Sequence, residues 1–135
     1  MHSEKIKKVK DVLIPKLDPV FLILFGSQAK GTQNDESDID VAFYCREKNL
    51  SSYETFMLAQ ELAAELDMDV DLVNIREAST VFQAQVFSSG RVLYSQDEAL
   101  RANVQMTVMS MYSRLNEERK IILDTIRERG SVYGK

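Results

Sequence analysis

VFLILFGSQAKGTQNDESDIDVAFYC, residues 20–45, is the stretch on which the fold turns. Its first six residues form an unbroken apolar run, VFLILF, of types that suit a strand covered on both faces, and the run stops at Gly26 and Ser27. After a polar stretch, Ile39, Val41 and Phe43 alternate with Asp38, Asp40 and Ala42, which predicts a second strand from Asp38 to Cys45 with chemically different faces. A buried strand, a glycine turn and a half-acidic strand together describe a small sheet whose inner strands carry polar chemistry at their ends.

Working outward, Ile6, Val9, Val12 and Leu13 share one face of a lysine-rich segment, residues 3–14, an amphipathic helix ended or kinked near Pro15. Downstream, Ser51 and Glu54 have capping-box spacing, and Phe56, Ala59, Leu62, Ala63 and Leu66 recur with a helical period. VDLVNI, residues 70–75, reads as a third strand, residues 80–87 as a helix and residues 91–94 as a short edge strand. Ser95 and Glu98 form a second capping-box pair before a long stretch free of proline and glycine that carries Leu100, Val104, Val108, Tyr112 and Leu115. The expectation is an α/β (α+β) single domain over residues 1–135, with about four strands in a mixed sheet flanked by helices. Its core is residues 18–95, its C-terminal helical segment residues 96–129 and its loose tail residues 130–135.

Composition narrows the function. A net charge of −4 argues against a surface that tracks nucleic acid phosphates, so no direct nucleic acid partner is expected. One cysteine, Cys45, cannot make an internal disulfide, and no apolar run reaches the length of a signal segment or a membrane span; the reading is cytoplasmic, with no membrane association.

The chemistry concentrates between Phe25 and Asp40. A glycine directly after a buried strand lets the backbone approach a ligand, and free amides there, helped by a short helix beginning near Ser27, suit phosphate oxygens. Gly26 and Ser27 are thus candidate nucleotide-binding residues. Lys30 stands one turn further on as either a cation for the outer phosphates or a solvated lysine. Asp38 and Asp40, two apart on a strand, leave the same face, close enough to share hard divalent cations. Two adjacent acids without a counter-charge repel each other, and a pair of magnesium ions resolves the conflict while stabilising a pyrophosphate leaving group. A third carboxylate is expected in the cluster Asp67, Asp69 and Asp71, which period two would put on one face. Asp71, flanked by Val70, Leu72 and Val73, is the preferred metal ligand and proton acceptor, with Asp69 its rival.

Gly-Ser, ten intervening residues and Asp-Ile-Asp resemble the signature of the DNA-polymerase-β-type nucleotidyltransferase superfamily, and the short chain resembles its minimal nucleotidyltransferase (MNT) branch. The resemblance spans roughly residues 20–75 and includes the V-D-L-V context of Asp71; it departs at Gln28, where many relatives carry arginine. It implies ATP as substrate and Asp38, Asp40 and Asp71 as catalytic, metal-holding acids. It also implies an antitoxin that adenylylates a tyrosine of a cognate HEPN-domain ribonuclease toxin, in a hetero-oligomer with it. A protein acceptor suits a chain without room for a substrate module; the alternatives are an aminoglycoside-like small-molecule acceptor and a non-catalytic antitoxin that simply covers the toxin.

Overall fold

Five consecutive apolar residues, FLILF, form the strand β1 (Phe21–Phe25) at the centre of a four-stranded sheet, and four of the five side chains are buried. The computed structural model describes residues 2–26, 38–47 and 50–132. The helix expected near Ser27 therefore falls outside the described residues, as do Ser27, Gln28, Lys30 and Gly31. Among the described residues the elements are α1 (His2–Leu17), β1, β2 (Ile39–Tyr44), α2 (Ser52–Leu66), β3 (Val70–Asn74), a 3-10 turn (Ile75–Glu77), α3 (Thr80–Ser89), β4 (Arg91–Ser95) and α4 (Glu98–Val132). The strand order is β3-β2-β1-β4: β1 runs antiparallel to both β2 and β4, while β2 and β3 are parallel. This is the expected mixed sheet. Of the described helices, none is long and apolar enough to cross a membrane.

Alternation along the strands divides the core. Leu22, Leu24, Val41, Phe43 and Leu72 face α1 and α2, meeting Val9, Leu13, Leu58 and Leu62. Phe21, Ile23 and Ala42 face the other way, onto Ala84, Val86 and Phe87 of α3 and Val108 of α4. Both faces of β1 are covered, so an uninterrupted apolar run is the pattern this position requires.

Local chemistry sets the element ends. In α2 the amide of Glu54 donates to Oγ of Ser51 (3.1 Å) and the amide of Ser51 donates back to Oε1 of Glu54 (2.9 Å), the reciprocal cap expected from their spacing. The second expected box is corrected. The amide of Leu100 donates to Oδ1 of Asp97 (3.0 Å), so Asp97 caps α4, and Ser95 remains in β4. Pro15 sits in the last turn of α1, lacking the amide that would bond the preceding turn; the helix closes two residues later and Asp18 adopts a left-handed φ of 46°. Met109 and Tyr112 of α4 pack on the core, whereas Met106 and Met111 face outward.

Candidate active site

The register of three strands assembles the acids. Phe25, the last residue of β1, pairs with Asp40 of β2, and Asp40 pairs in turn with Asp71 of β3. Paired residues project to the same side of a sheet, so Asp40 and Asp71 stand side by side on the face that α3 and α4 cover further along. Asp38 lies just before β2, one step outside the strand expected to include it, and is exposed. Its charge still reaches Asp40. Partial burial, then the neighbouring charges of Asp71 and Asp38, push the Asp40 carboxyl above the usual carboxylate range.

Gly26 completes this corner. Its φ is +78°, in the left-handed region, and a Cβ built on it would collide with Oδ2 of Asp40. A side chain here would displace this carboxylate, so the glycine keeps it in place and brings bare backbone against the acids. The glycine expected to allow close approach is therefore the residue that touches Asp40.

The cluster Asp67, Asp69 and Asp71 resolves into three different roles, and the period-two expectation fails for its first member. Asp67 ends α2 with φ 56°, its amide donating to the carbonyl of Ala63, so it belongs to a helix cap. Asp69 precedes β3, and its carbonyl accepts from the amide of Ile39 (3.0 Å), fixing the parallel register. Asp71 lies within the strand opposite Asp40.

Hard divalent ions suit the paired carboxylates of Asp40 and Asp71 beside Gly26, with Asp40 held at unfavourable charge by its neighbours. Among the described residues no group of three histidine, cysteine, aspartate or glutamate side chains is placed to hold a metal ion by itself. Magnesium commonly takes one or two carboxylates and fills its remaining positions with substrate phosphates and water, so an open acidic corner is the arrangement it uses.

Two cavities border the corner, and sequence reading identified neither. One, about 440 Å³, lies between Phe25 and Gly26 on one side and Phe82, Gln85 and Ser89 of α3 on the other, with Phe25 and Phe82 in edge-to-face contact at 5.5 Å. The other, about 400 Å³, joins Asp71 to α2. The first joins elements distant in sequence, and the second depends on how α2 packs against the strand that follows it; neither leaves a local pattern. Cys45 is buried with Sγ 3.5 Å from the carbonyl of Leu17; burial, and then the Asp18 charge, push its thiol up.

The chain is also similar to several known proteins. The family described as polymerase beta, nucleotidyltransferase, matches residues 7–99. The protein adenylyltransferase MntA of Shewanella oneidensis is 41% identical over 128 residues, covering 93% of this chain and 88% of that protein. A solved toxin–antitoxin structure with AMP-PNP superposes with a TM-score of 0.77 at 36% identity, over 90% of this chain and 97% of the other. A further structure, of a tri-AMPylated Shewanella oneidensis HEPN toxin in complex with MNT antitoxin, gives a TM-score of 0.78 at 32% identity, over 93% and 98%.

Proposed function

The chain belongs to the polymerase beta nucleotidyltransferase family, and from that premise we propose that it is an antitoxin that transfers AMP from ATP to a tyrosine of a cognate HEPN-domain toxin in the cytoplasm. The observation that carries the reading is the juxtaposition of Gly26, Asp40 and Asp71 across three adjacent strands, with Asp38 beside them. A relative that is 41% identical is named a protein adenylyltransferase, and a structural relative was captured with an AMPylated toxin. Both favour a protein acceptor over a small alcohol.

In this reading Asp38, Asp40 and Asp71 hold two magnesium ions, which supply charge neutralisation for the triphosphate and the departing pyrophosphate. The bare backbone at Gly26 admits the phosphates beside Asp40. Ser27 and Lys30 are assigned to the phosphates on the sequence alone. Asp71 accepts the phenolic proton, and the phenolic oxygen forms a new bond to the α-phosphorus. The bond from that phosphorus to the α–β bridging oxygen breaks, and pyrophosphate leaves with the electron pair. The residues assigned here all lie within the core expected at residues 18–95.

The test is to incubate the chain with ATP, magnesium and its HEPN-domain partner and weigh the partner intact. A mass gain of one or more adenylyl groups is expected, with neutralisation of the toxin lost in a double Asp38→Asn, Asp40→Asn variant that folds normally by circular dichroism. Neutralisation preserved in that variant would replace catalysis by simple covering of the toxin.

A further inference from the structure

The described residues leave the outer edge of β3 without a neighbouring strand, because the order is β3-β2-β1-β4 and β3 pairs with β2 alone. Successive residues of a strand turn their backbone groups to opposite edges. The Asp69 carbonyl faces β2, where it accepts from Ile39, so the groups of Asp71 and Val73 face β2 as well. Those of Val70, Leu72 and Asn74 therefore point outward, a row of donors and acceptors of the kind that pairs with another extended chain. The 400 Å³ groove runs along this row, walled on its far side by Ser52, Thr55, Phe56 and Gln60 of α2 and closed at one end by Glu77. Phe56 is 58% exposed there.

From this geometry we infer that the acceptor polypeptide docks as an additional strand on the outer edge of β3, held in the groove against α2; the inference rests on the adenylyl-transfer reading for the identity of its occupant. Continuity with the acids selects that occupant. A residue paired beside Asp71 projects its side chain onto the face that Asp71 shares with Asp40, so every second side chain of the added strand points toward the reaction corner. The added strand lies two strand spacings, about 9–10 Å, from Asp40. A serine or threonine hydroxyl, held next to its own backbone, stops short of Gly26, while the ring of a tyrosine carries its hydroxyl back across Asp71.

Charge points the same way. The titratable residues lining the groove are Asp71 and Glu77, with no cation among its described lining residues. With Asp71 assigned to the reaction corner, Glu77 is the remaining charge among the described lining residues, and it suits a neutral or basic stretch of polypeptide.

Amide hydrogen exchange of the chain, alone and in complex with the HEPN-domain toxin, tests the docking directly. The amides of Val70, Leu72 and Asn74 should exchange at least ten-fold more slowly in the complex. No added protection at these positions overturns the proposal, and full protection already present in the isolated chain overturns it in favour of self-pairing. Wild-type chain that protects these amides yet transfers no AMP would leave the docking intact and remove the adenylyl-transfer reading, so the two failures are distinguishable.

Two variants then test the link to transfer. Val70→Pro deletes an outward amide that makes no sheet bond, at the first position of an edge strand where proline is tolerated. Gln60→Trp fills the groove from α2. Each should raise KM for the toxin ten-fold or more and leave nucleotide binding, measured by calorimetry with magnesium and a non-hydrolysable ATP analogue, unchanged. Values for the toxin within two-fold of wild type in both folded variants would refute the groove as the acceptor's path.

Discussion

Replacing Gly26 by alanine places a methyl group at the point where the candidate site is tightest. At φ +78° an L-residue is strained by about 1–2 kcal/mol. The new Cβ meets Oδ2 of Asp40, the far end of a rotatable side chain, so the collision is relieved by swinging the carboxylate away at a further ~0.5–1.5 kcal/mol. The sum, roughly 1.5–3.5 kcal/mol, lowers the melting temperature by about 5–15 °C in a domain of this size. The catalytic consequence is larger than the stability loss implies. A displacement on the order of 1 Å at a positioned group costs about 10²-fold in rate, and here the displaced group is the central acid. Thermal melts by circular dichroism and AMP transfer to the toxin at 20 °C, where the variant remains folded, measure the two effects separately. Gly90→Ala is the control: its Cβ would meet Ile23 Cγ2 and the Val86 carbonyl, so it should destabilise the fold and spare the activity of the molecules that remain folded. Transfer by Gly26→Ala within three-fold of wild type, with the expected drop in melting temperature, would show that Gly26 does not set the position of Asp40.

Asp40→Asn removes a like charge set directly beside Asp71, and it should raise stability at pH 7 by about 0.2–1 kcal/mol while abolishing transfer. The native Asp40 carboxyl is shifted up, so the folded state binds its proton more readily than the unfolded chain does. Wild-type stability therefore falls as pH rises from about 3.9 through the raised native value, and the variant's advantage should be full above that window and vanish below it, read from denaturant melts across pH 3–8. Asp71→Asn should lower kcat by 10²-fold or more with an unchanged fold, whereas Asp69→Asn should stay within three-fold, because Asp69 contributes a backbone carbonyl; equal losses in the two would dissolve the distinction. Cys45 should resist a thiol reagent at pH 8 in the folded protein and react once denaturant is added, since burial both blocks access and disfavours the thiolate; rapid labelling without denaturant would contradict its place in the core.

Much of this molecule is written locally in its residues. The apolar run of β1, the alternation of Ile39, Val41 and Phe43, and the cap formed by Ser51 and Glu54 each announce their element, because backbone conformation and side-chain direction there answer to neighbours within four positions. Asp38 and Asp40 stood out for the same reason, as two acids placed on one side of a strand after a glycine turn. Where competing local signals were equal, the sequence misled or stayed silent. Asp97 and Ser95 are both good caps, and only the end of β4 decides between them. Asp67, Asp69 and Asp71 share a spacing, yet the end of α2 claims the first and the parallel register separates the other two. The pairing of Asp40 with Asp71, the pressing of Gly26 against Asp40, and the groove between α2 and the open edge of β3 join segments up to dozens of residues apart. Those distances are set by which strands pair and in what register, and strand pairing is a property of the whole packed chain that no window of sequence contains.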